Sequence, residues 1–248
     1  MNKILQKCAL CQNERKLVKS HIFPEFFYQF MYDEDHKYLF ITSNPDTQIK
    51  KRPKGIWEPL LCYGCDQQIG VYEDYAAKQL VGDGKTAVNI EKYKNGFVIY
   101  NLDYAKFKLF QISLLWRSSI TKRPEFHRIN LGPHQERMRK MLFDQNPGKP
   151  HQYGAILMHF PEHREMLQGF LYPPELLERK IEGHRVYRAV FLSLVWIYFV
   201  SSHTNQIIYD QYFLSEDGTL FIRNAGEKSM AFLYSLAKDL TENRKIDL

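Results

Sequence analysis

The sequence predicts an α+β protein in two parts, a small module at residues 1–84 and a larger α+β domain at residues 97–248. All four cysteines lie within the first 65 residues, in two C-x-x-C pairs. After residue 96, segments with strand-like alternation are interleaved with segments whose apolar residues recur at helical spacing. The polar, glycine-containing stretch 81–96 between the two parts marks the predicted boundary.

Composition is that of an ordinary globular protein. The chain has 248 residues, 44% of them hydrophobic and 25% charged, so it is long enough to bury a sizeable core. These values exclude an intrinsically disordered chain, and the 13 glycines and 11 prolines exclude a collagen-like one. The net charge of +6 is compatible with a nucleic-acid partner but is too small to establish one.

Neither a membrane span nor a secretion signal is predicted. The longest apolar run, residues 189–200, has 12 residues, whereas a helix needs about 20 to cross a bilayer. The N-terminal sequence M-N-K-I-L-Q-K-C has no apolar signal core. We therefore expect a cytoplasmic protein, in which paired cysteines are more often metal ligands than disulfides.

Local sequence patterns predict the elements in order. In the first part, residues 65–80 form a helix because Ile69, Tyr72, Ala76 and Leu80 make one apolar stripe. In the second part we expect strands at 97–100 and 154–160, helices at 103–120, 133–144 and 228–242, and a hairpin over 207–223 around Asp217–Gly218. The continuous apolar run 189–200 fits a strand or a helix equally well, since it has no periodicity to distinguish them.

The cysteines carry the strongest chemical signal. Two C-x-x-C pairs, separated by 50 residues, allow four thiolates to surround one Zn²⁺ in a tetrahedron: Cys8, Cys11, Cys62 and Cys65. Such a site has no open position for water, so it stabilises the fold and does not catalyse. Four buried free thiols or two redox pairs are the alternatives. A knuckle near the N-terminus and a second one at a helix start are typical of a treble-clef finger.

A histidine motif lies between the two cysteine pairs. The order of C-x-x-C, then His21-Ile22-Phe23-Pro24, then L-C-x-x-C opening a helix resembles the HNH endonucleases of the ββα-metal type. The resemblance covers about the first 80 residues. It implies a DNA-cleaving hydrolase in which His21 is the general base that takes a proton from water, while one divalent ion stabilises the phosphate charge.

The motif departs from that family at the positions that bind the catalytic ion. Ser20 stands where the family has Asp or His, Asp66 where it has His or Asn, and Gly70 where some members have a second histidine. Asp66 and Glu73 lie on one face of the helix and offer a replacement site for Mg²⁺ or Mn²⁺. Two further carboxylates are weaker candidates, Asp74 and Glu58.

Each of these residues also has a purely structural interpretation. His21 can be a hydrogen-bonded structural residue, Asp66 a helix-capping acid and Glu73 a solvated one. The other histidines show no ligand spacing. The whole chain is similar to uncharacterised bacterial HNH-like proteins, some of which are thought to act in phage defence. The alternative to a nuclease is a non-catalytic zinc-finger adaptor that binds nucleic acid or a protein.

Basic residues suggest where a DNA partner would bind. The densest run, I-K-K-R-P-K-G at 49–55, precedes the second cysteine pair and is expected near His21, although a solvated loop is the alternative. Six further cations extend the predicted surface: Arg117, Lys122, Arg123, Arg137, Arg139 and Lys140. Trp116 is expected in the core. The second part is the predicted contact for a protein partner or a second copy.

Overall fold

The computed structural model describes residues 5–39, 51–82, 89–160, 171–201, 209–226 and residue 231. These residues form a mixed α+β structure, as the sequence predicts. Three α-helices lie within them: α1 (Tyr63–Leu80), α2 (Tyr104–Ile120) and α3 (Pro133–Phe143). None of the helices in this part of the chain has the length and apolarity that a membrane crossing requires.

The N-terminal part contains short strands around α1. In chain order they are β1 (Gln6–Lys7), β2 (Glu14–Arg15), β3 (Leu17–His21), β4 (Tyr38–Leu39), β5 (Lys51–Arg52) and β6 (Trp57–Cys62). They pair antiparallel as β1–β2, β3–β6 and β4–β5. The β3–β6 pair matters most for the site, because β6 leads directly into α1 and sets His21 opposite Trp57.

The second part is built on one seven-stranded sheet. Its strands are β7 (Asn89–Tyr93), β8 (Gly96–Tyr100), β9 (Ala155–His159), β10 (Tyr172–Leu176), β11 (Arg185–Phe191), β12 (Leu194–Val200) and β13 (Leu220–Asn224). The order across the sheet is β10-β11-β12-β9-β13-β8-β7, with only the β13–β9 pair parallel. β7 extends the sheet into the polar stretch 81–96.

Most of the predicted elements of the second part are confirmed. The helices predicted at 103–120 and 133–144 are α2 and α3, and the strands at 97–100 and 154–160 are β8 and β9. Asp103 caps α2 by accepting a hydrogen bond from the Lys106 amide. α2 is buried nearly all round and includes Trp116, as expected. The predicted helix at 228–242 lies outside the described residues, apart from residue 231.

The apolar run at 189–200 belongs to two strands. β11 and β12 form an antiparallel hairpin in which Phe191 pairs with Leu194. The turn consists of Leu192 and Ser193, with φ of 52° and 62°. Two consecutive residues with positive φ are typical of the tight turn that matches the twist of a hairpin. The run contains no Gly or Asn that would indicate this turn. For that reason the sequence pattern does not distinguish a strand from a helix here.

The hairpin predicted over 207–223 was wrong. The turn around Asp217–Gly218 exists, with Gly218 at φ 81°, but Asp210–Tyr212 is a single 3₁₀ turn, and β13 pairs instead with β8 and β9. The Gly218 carbonyl accepts a hydrogen bond from the Leu102 amide. A side chain at Gly218 would meet that backbone, so the glycine is required by a tertiary contact.

One hydrophobic core runs through both parts. Phe23 and Phe27, just after His21, contact Phe191 of the sheet at ring distances of 4.9 and 5.0 Å. Phe26 also stacks near Phe110 of α2, at 6.1 Å. The segment after His21 is therefore anchored in the second part of the chain. That residues 1–84 and 97–248 are separate domains stays a prediction.

Candidate zinc and histidine sites

The four cysteines come together as predicted. Cys8 and Cys11 lie around the turn between β1 and β2, Cys62 ends β6, and Cys65 is in the first turn of α1. Their sulfurs all lie within 4.8 Å of one another, and Cys11 Sγ is 3.9 Å from Cys62 Sγ. Four thiolates around one Zn²⁺ are about 3.8 Å apart, given Zn–S bonds of about 2.3 Å. The cluster therefore fits a tetrahedral zinc ion.

Hydrogen bonds support this cluster from outside. The Cys62 amide donates to Cys8 Sγ at 3.2 Å, and the Ala9 amide donates to the Leu60 carbonyl. Burial, and then the neighbouring sulfurs, raise the pKa of the Cys65 thiol. Four ionised sulfurs this close together are stable only around a cation. The four cysteines are therefore placed so that they could hold a zinc ion.

His21 is the last residue of β3 and reaches the surface. Its side chain is 37% exposed, and its Nε2 lies 3.4 Å from Glu25 Oε2. The other carboxylate oxygen of Glu25 accepts a hydrogen bond from the Tyr32 hydroxyl at 2.7 Å. Sequence reasoning missed Glu25. The available signal was an acid four residues after the histidine, just past a proline that turns the chain.

Arg117 connects His21 with α1. Its Nη1 donates to the His21 carbonyl at 2.7 Å, and its Nη2 is 2.5 Å from Glu73 Oε1. The side chain is only 2% exposed, so it is unavailable to the DNA surface on which the sequence placed it. An arginine buried in an apolar helix needs an acidic partner. The position of Arg117 within an apolar helix was therefore the sequence signal for an internal ion pair.

Glu73 is an ion-pair partner inside the molecule. Desolvation raises the pKa of its carboxyl, and the charge of Arg117 opposes that shift. Asp66, in the first turn of α1, raises the pKa further, and His21 lowers it. The three predicted residues are therefore close enough to interact electrostatically, but the charge of Glu73 is already compensated.

A second metal cluster is not preassembled in the part of the chain that the structure describes. There, the cysteines are the only group of three or more His, Cys, Asp or Glu at ligand spacing. Ser20 faces inward, and its Oγ accepts a hydrogen bond from the Leu61 amide. Glu58 Oε2 accepts bonds from Thr121 and the Lys122 amide, while Asp74 is exposed. A catalytic ion held by Asp66 and Glu73 stays a prediction.

The comparisons with known proteins do not choose between the candidate functions. Comparison with known proteins found no matching family model, no matching curated protein and no matching solved structure. The HNH resemblance therefore rests on the motif residues themselves and on the elements that carry them.

The basic run is partly neutralised by acids. Lys51 Nζ lies 2.8 Å from Asp33, and Arg52 forms an ion pair with the buried Glu125. Lys50 lies outside the described residues. Closer to His21, the Lys19 ammonium lies 4.3 Å from the centre of the Trp57 ring. Lys19 and His21 are two residues apart on one strand, so they project from the same face of β3.

Proposed function

We propose that the chain is a zinc-stabilised, metal-dependent endonuclease of the HNH type that cleaves phosphodiester bonds of DNA. The observation that carries the proposal is the order of elements around His21. An antiparallel strand pair, β3–β6, continues into α1, the cysteine cluster joins the start of α1 to the β1–β2 turn, and the histidine ends β3 at the surface. This order agrees with a treble-clef, ββα-metal module.

In this proposal His21 acts as the general base. A water O–H bond breaks, the proton passes to the imidazole, and the electron pair stays on oxygen, which attacks phosphorus. The bond from phosphorus to the leaving oxygen then breaks, and that oxygen takes a proton from solvent. Asp66 and Glu73 would hold a Mg²⁺ or Mn²⁺, which would supply charge stabilisation for the phosphate. Lys19 contributes a positive charge on the same face.

The test is plasmid nicking in Mg²⁺ or Mn²⁺ by wild type, His21→Ala and His127→Ala. His127 is an exposed histidine after α2 and serves as the matched control. We expect nicking by wild type and His127→Ala, and a loss of about 100-fold or more in His21→Ala. Equal nicking by wild type and His21→Ala, or no nicking with either ion, would rule out the enzymatic proposal for the isolated chain.

A biological role in phage defence, in the cytoplasm, belongs to the same proposal. Such a nuclease can depend on a partner protein or a phage signal. A cellular assay therefore complements the nicking assay: we expect His21→Ala to abolish protection of a host expressing the chain. Unchanged protection would contradict this role.

A second candidate is a zinc-finger adaptor without catalytic activity. Two observations favour it. Ser20 is buried and accepts a hydrogen bond from the Leu61 amide of β6, and Glu73 forms an ion pair with Arg117. Its partner would be DNA, another protein or a second copy bound through the second part. The adaptor predicts DNA or protein binding that His21→Ala leaves unchanged, with no cleavage.

A further inference from the structure

The imidazole of His21 has an acidic neighbour that the general-base mechanism does not require. Pro24 is extended, and a 3₁₀ turn at Glu25–Phe27 follows it. This bend brings Glu25 back beside His21, with Oε2 at 3.4 Å from Nε2. Phe26 and Phe27 of the same turn are buried in the core, so the backbone that carries Glu25 is anchored.

Glu25 is itself held in place. Tyr32 donates its hydroxyl hydrogen bond to Oε1 at 2.7 Å. Burial, and then the hydrogen bond to Glu25, raise the pKa of Tyr32 to about 12, so this hydroxyl stays a donor at neutral pH. A Cβ at Gly55 would lie 3.0 Å from Glu25 Oε2 and closer still to the Tyr28 ring. The glycine therefore leaves the space that the carboxylate occupies.

We infer that Glu25 is the positioning residue of His21: its carboxylate accepts a hydrogen bond from the Nε2–H group and leaves Nδ1 as the atom that takes a proton from water. The position of the proton on a neutral imidazole is set by the partner of the other nitrogen. The Nε2 proton stays on the ring throughout, and the carboxylate stabilises the imidazolium that forms. Arg117 also donates a hydrogen bond to the backbone carbonyl of His21.

The role of Glu25 in activating water rests on the proposed function. Its effect on the His21 tautomer can be measured without any enzymatic activity. The experiment records ¹⁵N spectra of the His21 ring at alkaline pH, where a histidine is neutral. The proteins compared are wild type, Glu25→Ala and Glu34→Ala. Glu34 is an exposed glutamate in the following turn and serves as the matched control.

In wild type and Glu34→Ala we expect a single His21 tautomer, protonated at Nε2. In Glu25→Ala the ¹⁵N chemical shifts of both ring nitrogens should move toward the averaged values of two exchanging tautomers. A mixture already present in wild type, or identical spectra for wild type and Glu25→Ala, would overturn the inference. Thermal melts of the same proteins check that each variant is folded.

The kinetic arm uses the nicking assay. We expect Glu25→Ala to lower kcat by about 10–100-fold with little change in KM, because it misdirects the base without removing it. Glu25→Gln, which keeps an oxygen acceptor, should lose less. Equal kcat in wild type and Glu25→Ala would overturn the inference. If wild type does not cleave DNA, the proposed function fails, and the ring spectra alone decide whether Glu25 orients His21.

Discussion

Arg117 is buried and makes polar contacts with three other residues. It donates to the carbonyls of Ser113 and His21 and pairs with Glu73, all at 2% exposure. A buried ion pair adds little net stability compared with apolar residues, but removing one partner leaves an uncompensated charge. Arg117 therefore links the backbone at the candidate base to helix α1.

Removal of this arginine should destabilise the protein. We expect Arg117→Met to lower the free energy of unfolding by about 3–5 kcal/mol, because Glu73, whose side chain is only 19% exposed, is left without its partner. Urea denaturation measures the change. The double variant Arg117→Met with Glu73→Met should recover much of the loss, and Lys122→Met, at an exposed position, should match wild type. A fully stable single variant would show that the pair is not structural.

Lys108 is a second buried cation of α2, and within the described part of the chain its side chain donates to backbone carbonyls and not to an acid. Its Nζ donates to the carbonyls of Pro150 and Tyr153, and the residue is fully buried. Desolvation lowers its pKa to about 7. In the unfolded chain the pKa of a lysine is about 10.4.

This shift predicts a pH-dependent stability. Between about pH 10 and pH 7 the unfolded chain binds a proton that the folded protein does not, so stability falls as the pH is lowered through this range. Below about pH 7 both states are protonated and this contribution is constant. Urea melts at several pH values should show this slope in wild type and in the exposed-site control Lys94→Met. Lys108→Met should lose it, and an unchanged slope would contradict the assignment.

At the level of elements, the start of α1 depends on the cysteine cluster. Its N-cap residue, Cys62, makes no side-chain capping hydrogen bond. Helices usually rely on such a cap to satisfy their first amides. Here the sulfur of Cys62 lies within the four-cysteine cluster. A bound zinc ion would therefore fix the entry of α1, and with it the alignment of α1 against β3.

Zinc content and helix stability should change together. We expect one zinc per chain in freshly purified wild type by elemental analysis, and none in Cys62→Ala. Amide exchange in the first turns of α1 should accelerate in the variant or after chelation. Tyr63→Ser, at the adjacent exposed position, should retain the metal. Absence of zinc from wild type would refute the site.

At the level of the whole molecule, the two predicted parts are joined by aromatic packing. Phe23 and Phe27 of the first part lie against Phe191, and Phe126 contacts Phe23 at 5.5 Å. Separating the parts would expose these rings. Because burying a phenylalanine contributes about 1.5–3 kcal/mol, the loss is comparable with the total stability of a typical domain.

Fragments test this dependence. We expect residues 1–84 with zinc, and residues 85–248, each to aggregate or give poorly dispersed NMR spectra when expressed alone. Co-expression should restore a folded complex, because the shared core can then form. Two well-folded monomeric fragments would instead support two independent domains with the predicted boundary.

The sequence by itself determined the local features. The C-x-x-C spacing predicted a cluster that the structure assembles, apolar periodicity located α1 and α2, and an opening proline located α3, because each of these signals lies within a short stretch of chain. The tight turn at Gly218 was also readable. Its strand partners were not, since β13 pairs with strands more than 60 residues away.

Only the tertiary structure decided what surrounds His21. The pairing of Arg117 with Glu73, the inward turn of Ser20 and the approach of Glu25 all depend on how β3, α1 and α2 pack. A sequence shows which residues can ionise but not which of them will pair. Pairing depends on burial in the folded protein, because a buried charge is strongly stabilised by a neighbouring charge of opposite sign. For that reason the four clustered cysteines were predictable residue by residue, and the acidic neighbours of the histidine were not.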